Sequence, residues 1–176
     1  MTAEQNNGEM LEIIDDSSGK VIGLAPRKQC HGDPSLVHRS VHVIVFSSAG
    51  DILLQKRKIT KDIQPGKWDT ACGGHLDPGE TFETAAVREL KEELGLDLPW
   101  SAFRHLFDYK VRNSIESENV RVFSVICDGP FQPQESELDG VSFYTVEDLK
   151  DRLKNGKTDD LTPLLCSELA LLFGEM

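Results

Sequence analysis

Glu89, Glu92 and Glu93 carry the clearest capacity for chemistry in this chain. They lie in a stretch without internal glycine or proline, between Pro78-Gly79 and Gly95, which is the punctuation of one helix over 81–94. At about 100° per residue, Val87, Leu90 and Leu94 share one arc and form a core face. The three glutamates share another arc, roughly 140° away. Like charges at i and i+4 repel and destabilise a helix. A solvated acidic face, partly neutralised by Arg88, is one reading of this pattern. A metal site is the other, because carboxylates at i, i+3 and i+4 offer a hard divalent cation several oxygen ligands from a rigid support.

The wider spacing separates the two. Gly74, five residues, Glu80, seven residues and then Arg88-Glu89-Leu90-Lys91-Glu92-Glu93-Leu94-Gly95-Leu96 match every specified position of Gx5Ex7REUxEExGU, where U is aliphatic. At average residue usage, a chance match in this length is on the order of one in ten million. The pattern is the Nudix box, and the chain resembles a Nudix hydrolase. The resemblance implies an α/β fold, an α/β/α sandwich around a mixed β-sheet. It implies Mg²⁺ as cofactor, with Mn²⁺ able to substitute because both seek oxygen in similar geometry. By resemblance, Glu89 and Glu93 are metal ligands, Glu92 is a ligand or general base, and the Gly73 carbonyl is a further ligand. Arg88 and Glu80 resemble the pair that orients loop and helix beside the catalytic Glu92 and Glu93. The chemistry suits this layout: a diphosphate repels a nucleophile, and a bound cation neutralises that charge and lowers the pKa of water.

Outside the box the chain is similar to the type I isopentenyl-diphosphate isomerases. By that resemblance His31, His38, His75, Glu116 and Glu118 form a second metal site, and Arg27, Arg57 and Lys61 grip the diphosphate. His42 has no counterpart and reads as structural; Lys56 and Lys58 read as solvated loop charges. The isomerases place a cysteine immediately before Gly-His in the box loop, where this chain has Gly73 in Cys72-Gly73-Gly74-His75. In an extended segment a shift of one residue turns the side chain to the other face, so Cys72 reads as a packed apolar group. Neither Trp68 nor Trp100 lies in the C-terminal third, where an indole over a carbocation would be expected. The expected function is therefore Mg²⁺-dependent hydrolysis of a diphosphate linked to another moiety X. An isomerase and a non-catalytic nucleotide-binding sensor are the alternatives.

These residues need a scaffold. The pattern predicts strands at 10–14 and 20–25 around Asp15-Asp16-Ser17-Ser18-Gly19, and a second strand–turn–strand at 41–46 and 52–55. Residues 56–67 read as a loop carrying Pro65-Gly66, and 71–76 as a short strand. Strands follow at 103–111 and 120–127 around a polar turn at 112–119, and at 141–144. Thr145 caps a helix over 146–154, and Thr162-Pro163 starts a last helix over 164–173. That helix is strongly apolar and has two possible seats, the core or a second subunit, so the expectation is a monomer or a homodimer.

The chain has 176 residues, 39% of them apolar, which suits one domain, expected over 9–176 behind a flexible 1–8. Nineteen basic against thirty acidic residues give a formal charge of −11. That balance argues against nucleic-acid polymers and membrane surfaces as partners, and leaves a small diphosphate. No apolar run approaches a membrane span, residues 1–8 lack a signal-peptide layout, and Cys30, Cys72, Cys127 and Cys166 form no CxxC pair. These features read as a reduced, cytoplasmic protein.

Overall fold

A computed structural model describes residues 8–61 and 64–174. All but Gly8 of the expected flexible stretch 1–8 lies outside them. Strands β1 (Met10–Ile14) and β2 (Val21–Pro26) form the expected antiparallel hairpin. Asp15 closes its turn by accepting from the Ser17 and Ser18 hydroxyls and the Ser18 backbone N–H. A single helical turn, α1 (Arg27–Cys30), follows.

The main sheet is mixed. Strand β3 (His38–Phe46) is its axis and pairs in parallel with β8 (Ser117–Ile126) along its full length. Strand β4 (Ile52–Arg57) meets β3 only at Phe46–Ile52, so the predicted second hairpin exists at its turn and then splays open. The predicted strand at 71–76 is β6 (Cys72–His75) on β3, and an unexpected short strand, β5 (Trp68–Thr70) on β4, precedes it across Ala71. They wedge into the opening between β3 and β4. Strand β7 (Arg104–Arg112) pairs with β8, and β9 (Leu138–Tyr144) pairs with β4. The polar turn expected at 112–119 contracts to 113–116, where Asn113 accepts from the backbone N–H groups of Ile115 and Glu116. Polar residues 117–119 therefore belong to β8, because strand pairing satisfies their backbone whatever their side chains.

Helix α2 (Phe82–Leu94) covers one face of the sheet. Thr81 caps it in a reciprocal pair with Thr84, and Gly95 ends it at φ 69°, a left-handed conformation that glycine adopts without strain. Leu90 and Leu94 are buried with Val41, Val43 and Val45, the alternate residues of β3. Helices α3 (Val146–Lys154) and α4 (Pro163–Phe173) cover the other face, each capped by a threonine hydroxyl. Leu149, Leu165 and Leu169 are buried there against Ile44, Ile52, Leu54, Val120 and Val122. The apolar α4 thus takes its seat on the core. The outcome is the expected helix–sheet–helix sandwich. All four cysteines are free, and no helix among the described residues is long and apolar enough to cross a membrane.

Candidate active site

The box loop, α2, the splayed ends of β3 and β4, and the segment before β1 meet around one cavity of about 250 Å³. Its first component is the glutamate face of α2. Glu89 and Glu93 line the cavity and are largely buried, while Glu92 sits at the rim with a side chain 47% exposed. Burial raises the Glu89 carboxyl above its ordinary value. Burial, then the charge of Glu89, pushes Glu93 up to about 8. The Glu93 Oε2 is buried without a hydrogen-bond partner among the described residues. A Cβ built on Gly74 would fall 2.2 Å from Glu89 Oε1, so the loop backbone touches this carboxylate. Two crowded, dehydrated carboxylates with an orphaned oxygen fit a divalent cation with oxygen ligands.

Arg88 binds this face to the loop. Its Nε and Nη2 donate to the two Glu80 carboxylate oxygens at 3.0 and 2.8 Å, a bidentate fork. Its Nη1 donates to Glu89 Oε1 at 2.7 Å, and Nη2 also reaches the His75 carbonyl at 3.1 Å. The Glu80 carboxyl, at the loop end, also accepts from the Asp77 backbone N–H. One guanidinium therefore fixes helix, loop and the end of β6 together.

The second component is the histidine cluster. The ligand atoms of His31, His38, His75 and Glu118 all lie within 4.8 Å of one another. The parallel register of β3 and β8 sets His38 opposite Glu118; β6 brings His75 and the end of α1 brings His31. His31 Nε2 and His75 Nε2 are 3.2 Å apart, and Glu118 Oε1 lies 3.1 Å from His75 Nε2 and 3.3 Å from His38 Nε2. Glu116 stands at the edge, 3.6 Å from His31 Nε2. His38 Nδ1 donates to the Leu36 carbonyl, which turns the Nε2 lone pair toward Glu118. That Nε2 is buried with no hydrogen-bond partner among the described residues. Three imidazoles and a carboxylate gathered this closely, with one ring nitrogen left without a partner among the described residues, fit a metal that accepts imidazole nitrogen.

Arg27, Arg57 and Lys61 all line the cavity. Each also faces a carboxylate: Arg27 is 3.6 Å from Glu9, Arg57 Nη1 donates to Asp69 Oδ2 at 3.1 Å, and Lys61 pairs with Glu137. Arg57 lies in β4 and not in a loop, since the strand runs two residues further than expected. Gly73 and Cys72 both border the cavity, and Cys72 is at the same time fully buried among the α2-side core. Burial holds the Cys72 thiol well above its ordinary range. Lys58 donates to the Glu135 carbonyl, and Lys56 covers the Trp68 ring at 4.9 Å, so neither is merely a solvated charge.

Two contributors escaped the sequence reading. Glu9, just before β1, pairs with His75 Nδ1 at 3.3 Å and with Arg27. His42 is buried, yet its ring lines the cavity. Its Nδ1 donates to the fully buried Glu168 of α4, which also accepts from the Thr70 and Tyr109 hydroxyls. Burial opposes the His42 cation, and Glu168 overrides that opposition and pushes the group up to about 9. One signal for this pair was in the sequence: Glu168 is the single charge in the helix Leu-Leu-Cys-Ser-Glu-Leu-Ala-Leu-Leu-Phe, and a lone carboxylate among apolar residues needs a buried partner.

The comparisons agree with this architecture. The NUDIX domain family matches residues 36–165. An uncharacterized Nudix hydrolase of Yersinia pestis is 33% identical over 168 residues, 92% of this chain and 88% of its own. An isopentenyl-diphosphate Delta-isomerase of Streptomyces avermitilis is 32% identical over 147 residues, 81% of this chain and 74% of its own. The crystal structure of the Deinococcus radiodurans protein DR0079 superposes with a TM-score of 0.76 at 23% identity, over 94% of this chain and 99% of that one. The chain belongs to the NUDIX family. It is an enzyme of the family's hydrolase class.

Proposed function

We propose that this chain hydrolyses the diphosphate of a nucleoside diphosphate derivative or similar organic diphosphate, using Mg²⁺, with Mn²⁺ able to substitute. The observation that carries the reading is the crowding of Glu89 and Glu93 against Gly74, dehydrated and with Glu93 Oε2 unpartnered. A cation held by Glu89, Glu92 and Glu93, with the Gly73 carbonyl, would neutralise the diphosphate and lower the pKa of a water molecule. Arg88 and Glu80 keep the helix and loop in register, so the carboxylates need no rearrangement when substrate arrives. Arg27, Arg57 and Lys61 orient the anionic chain from the cavity wall. Glu92, half exposed at the rim, is placed to take a proton from water and pass it to solvent. His31, His38, His75, Glu116 and Glu118 form a second candidate site on the same cavity.

Isomerisation of a carbon skeleton needs an acid within hydrogen-bond reach of the carbon. Gly73 has no side chain to supply it, and Cys72, although it borders the cavity, is fully buried in the α2-side core with its thiol held protonated well above the ordinary range. This favours hydrolysis over the isomerase chemistry named for the Streptomyces relative. The test is Glu93→Gln, which keeps size and removes charge, assayed for phosphate release over a panel of diphosphates with Mg²⁺. Wild type should hydrolyse at least one of them, and the variant should lose at least about a hundredfold in kcat. Turnover of the variant near wild type would remove Glu93 from the site.

A further inference from the structure

Three cationic side chains on the cavity wall, Arg27, Arg57 and Lys61, have their carboxylate partners Glu9, Asp69 and Glu137 on the same wall. Each of these cations therefore meets an incoming anion with a carboxylate beside it on the same wall. His42 is arranged differently. Its partner Glu168 is fully buried in α4 and takes no part in the lining. The carboxylate therefore lies behind the ring, and the Nε2 edge is left on the cavity side. Glu168 accepts from His42 Nδ1 and from the Thr70 and Tyr109 hydroxyls, and of these three donors the imidazole alone has a second nitrogen left to face the cavity.

The backbone opposite makes room for this ring. His42 on β3 pairs across the ladder with Gly73 on β6. A Cβ at Gly73 would fall 2.4 Å from the imidazole Cδ2 and 3.0 Å from Nε2. Any side chain at 73 would displace the ring, so the missing cysteine and the cavity-facing histidine are two sides of one packing choice. Gly73 and the Glu89–Glu93 pair line the same cavity as the ring, so His42 faces the space that the carboxylates face.

We propose that His42 is a substrate-contacting residue whose Nε2 donates to a phosphate oxygen, with Glu168 as its positioning residue and Tyr109 and Thr70 holding Glu168. This rests on the diphosphate reading above. The experiment uses methylenediphosphonate, a diphosphate that cannot be hydrolysed, with Mg²⁺. Calorimetry gives its Kd for wild type, His42→Asn and Glu168→Gln, and nitrogen-15 spectra of the histidine-labelled wild type report on Nε2. The expected results are a Kd at least about tenfold weaker in His42→Asn, the scale of losing a charge-assisted hydrogen bond, and a shift of the His42 Nε2 resonance at saturation. Glu168→Gln should weaken binding less, because it leaves the donor in place. An unmoved Nε2 signal, or a folded His42→Asn binding as tightly as wild type, would overturn the role of His42 and leave the diphosphate reading standing. If His42→Asn does not fold, the wild-type spectrum decides alone. Wild type that fails to bind methylenediphosphonate would overturn the diphosphate reading and this inference with it.

Discussion

Replacing Gly74 by alanine tests the glutamate site through a single methyl group. Gly74 is not in the left-handed region, so alanine meets no backbone strain there. Its Cβ would instead lie 2.4 Å from the Glu89 carboxyl carbon, where ordinary contact begins at 3.4 Å. The carboxylate must retreat by the difference, about 1 Å. A displacement of about 1 Å in a reacting constellation costs on the order of a hundredfold in rate. The fold has less at stake: the main casualty is the 2.7 Å hydrogen bond from Arg88 to Glu89. A charged hydrogen bond contributes about 1.5–3 kcal/mol, or no more than about 12 °C in Tm for a chain this long. The expected outcome is a folded variant with kcat lowered about a hundredfold and a higher Mg²⁺ requirement. Steady-state hydrolysis at several Mg²⁺ concentrations, beside a thermal melt, measures both. A Gly74→Ala protein within about threefold of wild type at every Mg²⁺ concentration would refute the assignment of Glu89 to the metal.

Other changes separate binding from chemistry and packing. Arg57→Ala should raise KM for a diphosphate more than it lowers kcat if its contact is equal in ground and transition states, and unchanged kinetics would show that Arg57 does not touch the substrate. Cys72→Ala should leave hydrolysis within a few-fold of wild type and cost about 1 kcal/mol in a urea titration; lost activity in a stable protein would show that the thiol acts on substrate in the cavity it borders. The His42–Glu168 pair should make stability depend on pH. His42 is raised from its ordinary 6.5 to about 9 in the folded state, so its contribution is complete below about 6.5 and fades as pH rises through about 9. Urea midpoints of wild type and Glu168→Gln should therefore converge between those values, and a gap that stays constant to pH 10 would show that the imidazole does not change charge in this range.

Local signals made much of the fold legible. Thr81, Gly95, Thr145 and Thr162-Pro163 act within one turn of their own position, so α2, α3 and α4 begin at these threonines and α2 ends at Gly95, whereas the single turn α1 carries no such cap and was not expected. The Gx5Ex7REUxEExGU spacing likewise brought Glu80, Arg88, Glu89 and Glu93 to one place because a single loop and helix carry all of them. What sequence could not show was pairing at a distance. The parallel β3–β8 ladder joins residues 80 apart, from His38 and Glu118 to Phe46 and Ile126, and no local pattern encodes a parallel partner. The β5–β6 wedge hides for the same reason, since its two short strands belong to different neighbours. His42 read as structural because its partner Glu168 lies 126 residues away on α4. The turn at 112–119 looked longer than it is because Ser117, Glu118 and Asn119 are polar residues inside a strand, the price of putting Glu118 against three histidines.

The central claim is that the chemistry occurs at phosphorus and not at carbon. Isopentenyl diphosphate and a panel of nucleoside diphosphate derivatives, incubated with the enzyme and Mg²⁺ in deuterated water enriched in oxygen-18, report on both by proton and phosphorus NMR. The account predicts oxygen-18 in a phosphate released from at least one diphosphate, with no deuterium entering the isopentenyl carbon chain. Dimethylallyl diphosphate or deuterated isopentenyl diphosphate, with no phosphorus–oxygen cleavage in any compound, would contradict it.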